Sequence, residues 1–215
     1  GLDVELTTTP RVGFHKYTFP AGSDARVVID LENGTCWDAP IEGYITQVGA
    51  TTLSGYRFST GWAEDQKIYF TAEFSRPFSD FGVWESNTPR QGSELKARQV
   101  YGIARFDPDA GPVDMKVALS PVSIENAALN MSKELPGWDF GETVKKADSA
   151  WNAELGRIRI KTPDESVQTI FYTGLYHTMV APPAFCDVNR DYRRTDGHPH
   201  KDAVFRHYTT IPLPD

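Results

Sequence analysis

The chain has 215 residues, 40% of them hydrophobic and 12% aromatic, enough for a packed core. Its net charge of −7 and lack of any basic run exclude nucleic acid as a partner, because phosphate binding takes clustered Lys and Arg. No apolar run approaches the roughly 18 residues of a membrane helix.

From Leu2 to about Ser132 the chain reads as strands. "VELTTTPRVGFHKYTFP", "RVVIDLE", "IEGYITQVG", "TLSGYRFSTG", "KIYFTAEFS", "RQVYGIARF" and "DMKVALSPVSI" are short, β-branched or aromatic, and bounded by Gly, Pro, Asn or Asp. In "QKIYFTAEFS" the period-2 rule puts Ile68, Phe70, Ala72 and Phe74 on one face. Such a succession predicts an antiparallel β-sandwich or barrel, with the β domain over residues 1–136. No repeat of fixed period is evident, which argues against a solenoid or propeller.

The pattern changes near Pro136, and residues 137–215 read as a helical segment, with Ala127 to Gly141 as the joint. Val144, Ala147, Trp151 and Leu155 predict a helix near Gly141–Leu155. "RIRIK" is expected to be a short strand. Thr162, Pro163 and Glu165 suggest a capping box before a second helix near Asp164–Val180. Its face of Val167, Ile170, Phe171, Gly174, Leu175, Thr178 and Met179 ends at Pro182 and Pro183. Trp151, Ile170, Phe171, Leu175 and Met179 are expected to be largely buried. The segment alone is too small to bury both helices.

Tyr176 to His200, "YHTMVAPPAFCDVNRDYRRTDGHPH", holds the densest chemistry. Asp187, Asn189 and Asp191 open like a calcium-binding EF-hand loop. The glycine and glutamate that such a loop needs are Tyr192 and His198, so that motif fails. His198 and His200 lack an obvious third metal ligand and read as solvated. No nucleophile elbow or phosphate loop occurs, and Cys36 and Cys186 are expected unpaired. Five tryptophans, Trp37, Trp62, Trp84, Trp138 and Trp151, could stack on sugars. Trp151 reads as core, and Trp62 and Trp84 flank turns. Paired carboxylates for glycoside hydrolysis cannot be chosen from 29 acidic residues by sequence alone.

Taken together, "VELTTTPRVGFHKYTFP", "GYRFSTGWAEDQKIYFTAEFSRPF", "KVALSPVSIENAALNM", "PGWDF", "WNAELGRIRI" and "IFYTGLYHTMVAPPAFCDVNRDYRR" resemble glycoside hydrolase family 92. The resemblance implies a β-sandwich followed by an (α/α)6 barrel whose first two helices are present here, in a chain truncated at both ends. An apolar patch meant for the missing barrel is expected on the outer face of the second helix, where a second copy of the chain could also sit. It implies a secreted or periplasmic enzyme that removes terminal mannose from α-mannoside glycans with inversion, with calcium as cofactor. It places the catalytic acid, the base and most calcium ligands beyond Asp215, so no catalytic or metal residue is carried over. Of the family's sugar-contacting Trp-Asp pair, only Asp215 matches, Pro214 standing where the Trp would be. Tyr176 to His200 would then be the start of an active-site wall. A stand-alone carbohydrate-binding or adhesion module is the other reading. It explains the sandwich and the aromatics, but not the helices from Trp138 onward.

Overall fold

The computed structural model describes residues 1–34, 37–61, 63–181, 184–202 and 208. In chain order the strands are β1 (Asp3–Thr8), β2 (Val12–Thr18), β3 (Arg26–Asp30), β4 (Ala39–Gln47), β5 (Thr52–Thr60), β6 (Gln66–Phe74), β7 (Asp80–Glu85), β8 (Thr88–Arg90), β9 (Glu94–Ala97), β10 (Val100–Arg105) and β11 (Val113–Ser120). Three helices follow, α1 (Ile124–Glu134), α2 (Phe140–Leu155) and α3 (Glu165–Val180). A small hairpin of β12 (Asp191–Arg193) and β13 (Pro199–Lys201) comes last.

The first eleven strands form two sheets, all of whose pairings are antiparallel. The larger runs β1-β2-β11-β6-β5-β4-β9 and the smaller β3-β10-β7-β8. Their facing sides enclose a core of Ile45, Leu53, Phe70, Phe74, Val83, Val100, Phe106 and Val113. The sequence expectation of a mainly β, antiparallel sandwich therefore holds. Phe70, Ala72 and Phe74 lie buried on the predicted face of β6, while Ile68 at its start is 39% exposed.

A second core lies on the opposite face of the large sheet. Val12, Phe14 and Ala118 pack there against Ala127, Met131 and Leu135 of α1, with Trp138 and Phe140 at the margin. β2 and β11 are thus covered on both faces. Hence β11 buries Lys116, Ala118 and Ser120 as well as Val113 and Met115. A half-exposed strand would keep such polar residues in water.

Helix α1 corrects the expectation that strands run to about Ser132. Ile124, Ala127, Ala128, Met131 and Leu135 recur at helical spacing. Ser123 caps the helix by accepting the amide N–H of Asn126 at 3.1 Å. The signal was present, but it followed a β-rich run across Pro121 with no polar gap. Among the described residues there are accordingly three α-helices where two were expected.

Three further expectations change. Residues 157–161, "RIRIK", form no strand, since none of the described strands pairs with them. Asp164, not Thr162, caps α3, accepting the amide N–H of Ser166 at 2.9 Å, and Glu165 becomes the first helical residue. The expected burial along α2 and α3 fails. Trp151 is 38% and Ile170 71% exposed, Phe171, Leu175 and Met179 are only half-buried, and α3 has no fully buried residue. The expected apolar outer face is present, with Val167, Ile170, Tyr176 and Val180 all exposed. Apolar residues lie all round α3. A helix of that kind is built to be enclosed, whereas here, among the described residues, it is met by α2 through Trp151 on Tyr176 at 4.8 Å and by the segment after α2, where the Tyr172 hydroxyl donates to the Ile158 carbonyl at 3.3 Å.

Candidate functional site at one end of the sandwich

The antiparallel registers bring several loops to one end of the large sheet. The end of β5 (Ser59) pairs with the start of β6 (Gln66), and the end of β11 (Ser120) with Tyr69 of β6. The start of β4 (Ala39) pairs with Thr60 of β5. The β5–β6 turn, the segment before β4 and the loop after α3 therefore share this end.

Asp187 anchors that loop. It is 1% exposed, and both of its carboxylate oxygens accept hydrogen bonds. Oδ1 accepts from Asn130 Nδ2 at 2.7 Å, and Oδ2 from Ser120 Oγ and Asn126 Nδ2, each at 2.8 Å. Asn130 returns its own carbonyl to the amide N–H of Val188 at 2.9 Å. Ser120 also accepts the N–H of Val122 at 2.9 Å, tying the loop to the approach of α1. Burial pushes the Asp187 carboxyl up, against the pull of these donors and of Arg11.

The neighbouring EF-hand-like residues are similarly occupied. Asp191 Oδ2 accepts from Asn189 at 2.7 Å and Asn126 at 3.1 Å, and Oδ1 lies 3.2 Å from the Lys201 ammonium. Burial would raise this carboxyl, but Asn126, Lys201 and Asn189 together hold it below the usual range. Oxygens turned onto amides, a hydroxyl and an ammonium do not converge on a cation. Among the described residues no cluster of three His, Cys, Asp or Glu could hold a metal, so these residues do not fit calcium.

Arginines clamp the loop from two sides. Arg11 donates through Nε to the Cys186 carbonyl at 2.6 Å and pairs with Glu134 of α1 at 2.6 Å, with both side chains mostly buried. Arg193 donates to the carbonyls of Pro121 and Val122 at 2.9 and 3.2 Å and to that of Gly197. Its guanidinium also lies 5.9 Å from the Tyr69 ring centroid. The β12–β13 hairpin turns through Gly197 at φ 77°, a conformation that only glycine adopts at little cost. A Cβ there would lie 3.6 Å from Asp65 of the β5–β6 turn. The loop is thus a fixed wall beside that turn.

The other candidates from the sequence fall as follows. Asp215, Pro214, Trp62 and Cys36 lie outside the described residues. Cys186 is buried and free, its sulfur 3.7 Å from Arg11 Nη2. His200 pairs with Asp196 at 2.8 Å, and His198 is exposed. Trp84 is half-buried, and Trp138 lies over Lys116. Trp37, one of the five tryptophans that the sequence offers for sugar stacking, is 65% exposed at the same end.

Comparison with known proteins matches the whole of this architecture. Residues 1–120 fit the glycosyl hydrolase family 92 N-terminal domain, and residues 126–215 fit the family's catalytic domain. The fold superimposes on a family GH92 α-mannosidase from Bacteroides thetaiotaomicron with a TM-score of 0.91 and 29% identity, covering 97% of this chain. That enzyme has also been solved in complex with mannoimidazole. An inverting GH92 mannosidase of the same organism gives a TM-score of 0.85 and 26% identity, again over 97% of this chain. A secreted glycosidase of Arthroderma benhamiae is 26% identical across 88% of the chain. The chain spans 28–29% of the length of these relatives.

Proposed function

Because the chain belongs to glycosyl hydrolase family 92, we propose that it forms the sandwich side and first helices of a secreted, inverting, calcium-dependent exo-α-mannosidase. The observation that carries the reading is the match of both family domains in order, over residues 1–120 and 126–215, on a fold shared with α-mannosidases. In such an enzyme an inverting pair of carboxylates stands roughly 6.5–9.5 Å apart with the attacking water between them. Calcium bound at the sugar would favour ring distortion toward the transition state.

Within this reading the described residues bind and orient substrate and do not transfer protons. Four described carboxylates of the wall and of the adjoining β5–β6 turn have structural partners, while Glu64 of the turn is exposed. Asp187 is enclosed by amides and a hydroxyl, Asp191 faces Lys201, Asp196 faces His200 and Asp65 faces Lys67. A catalytic acid needs a raised pKa together with access to the glycosidic oxygen. Asp187 has the first and, at 1% exposure, lacks the second. The helices are also integral to the sandwich, since Asn126 and Asn130 of α1 hold the loop, which disfavours a stand-alone binding module.

The 215 residues alone are therefore expected not to hydrolyse an aryl α-mannoside, with or without calcium. Release of the aryl group should stay at the buffer rate. Turnover above buffer that is abolished by replacing an acidic residue of this chain would overturn the assignment.

A further inference from the structure

Helix α1 lies on the outer face of the large sheet and meets two different surfaces there. Over β2 and β11 it packs Ala127, Met131 and Leu135 against Val12, Phe14 and Ala118. Toward β5 and β6 the sheet offers Thr52, Thr71 and Glu73 instead, and a groove of about 340 Å³ opens. Lys116, Met131 and Leu135 are its buried lining, and Ala128, Ser132 and Pro136 its exposed rim. We propose that this groove binds a small neutral molecule with an apolar ring and one hydroxyl, held between Lys116 and Glu73. The proposal does not depend on the hydrolase reading.

Lys116 marks the groove as a site. Its side chain is 2% exposed, so little water reaches it. An ammonium carries three N–H donors. Its described neighbours attract the charge without taking up those donors. The Trp138 ring centroid lies 3.7 Å from Nζ, and Glu73 Oε2 lies 3.7 Å away, beyond hydrogen-bonding reach. A buried donor short of an acceptor is costly, and an oxygen entering the groove would remove that cost. The lowered pKa of Lys116, caused first by burial, agrees with an ammonium short of solvation. Glu73 supplies the complementary acceptor. One hydroxyl placed between the two accepts from Lys116 and donates to Glu73.

The rest of the lining narrows the ligand. An anion drawn to the ammonium would also meet the carboxylate, and a cation drawn to the carboxylate would meet the ammonium, so a neutral molecule is favoured. Ala128, Met131, Leu135 and Pro136 offer it hydrocarbon, which suits an apolar body. Two of the three lining hydroxyls already bond within the protein. Thr71 Oγ1 lies 3.2 Å from Ser54 Oγ, and Ser132 Oγ donates to the Leu129 carbonyl at 2.9 Å. A sugar would bring several hydroxyls against the apolar side, where nothing receives them, and burying them unpaired is unfavourable. One hydroxyl on a six-membered ring matches one donor, one acceptor and an apolar wall. The volume falls in the range of about 300–1,000 Å³ common for small-ligand sites.

The test is titration of this chain with phenol and cyclohexanol, followed by ligand-observed NMR, with cyclohexanecarboxylate and methyl α-mannoside in parallel. Saturable binding of both hydroxyl compounds is expected, in the millimolar range for ligands of so few atoms. Lys116→Met should weaken it by about tenfold or more, because it removes a charged donor while keeping the volume of the side chain. Glu73→Gln keeps an acceptor and should weaken it less. Ala128→Phe fills the groove from its exposed rim and should abolish binding with little change in unfolding temperature, and it is the deciding variant if Lys116→Met does not fold. No saturable binding would leave the groove to water and overturn the proposal, as would binding of the hydroxyl compounds that is unchanged in Lys116→Met. Tighter binding of the carboxylate or the mannoside than of cyclohexanol would overturn the assignment of a neutral ligand with one hydroxyl.

Discussion

The ammonium of Lys116 lies 3.7 Å from the ring centroid of Trp138, joining β11 of the sandwich to the linker between α1 and α2. The Lys116 side chain is 2% exposed, and Glu73 lies 3.7 Å away. Burial pulls the Lys116 pKa down, with Glu73 opposing it. The charge is therefore held at a desolvation cost that the indole and Glu73 offset.

Lys116→Met should change stability by less than about 1 kcal/mol, because removing the charge also removes the cost of burying it. Trp138→Ala should cost about 2–3 kcal/mol, since it strips packing from the second core and uncovers the ammonium. Urea unfolding of both variants checks the ranking. Equal losses would show that the charge itself is the stabilising element.

Asp187 should behave in the opposite way. Asp187→Ala leaves donors on Ser120, Asn126 and Asn130 facing nothing, and should cost about 2–4 kcal/mol. Asp187→Asn sets an amide N–H against the same donors and should also destabilise, by about 1–3 kcal/mol. Thermal unfolding together with proteolysis of the 184–202 loop would measure both. A loss below about 0.5 kcal/mol in Asp187→Ala would mean that the loop is not held from this point.

His15 predicts a pH dependence. Burial lowers its pKa below the ordinary 6.5, and Nδ1 lies 2.7 Å from the Tyr17 hydroxyl. As pH falls below about 6.5 the unfolded chain takes up a proton that the folded chain resists, so this residue's effect is to lower stability on the acid side. Its contribution is lost again once the pH is high enough for both states to be neutral. His15→Gln should flatten the slope of the urea midpoint between about pH 5.5 and about pH 7. An unchanged slope would remove His15 from the account.

The α3 surface predicts a change in solubility without a change in stability. Ile170 is 71% exposed, so Ile170→Glu should alter stability by less than about 0.5 kcal/mol while reducing binding of a hydrophobic dye and self-association. A larger destabilisation would mean that Ile170 is covered in solution.

The sandwich was legible in the sequence because strand signals are local. β-branched and aromatic runs such as "KIYFTAEF", punctuated by Gly, Pro and Asx, carry their period whatever they pack against. The α2 and α3 spans were readable for the same reason, and family membership followed from many short matches kept in order. Helix α1 was equally local and was missed only because its first turn continued a β-rich run past Pro121. What residues Lys116, Ser120 and Asp187 do was not legible. Each is polar, and sequence rules send polar residues to water. Only the packing of α1 and the loop across the outer face of β11 buries them together, joining residues up to 67 positions apart. The exposure of α3 was likewise beyond the sequence, since an apolar pattern states which surface seeks cover and not whether cover is present. Local chemistry fixed the elements of this protein, and long-range packing, which depends on side chains distant in the chain, decided which polar groups became its framework and which aromatics remained in water.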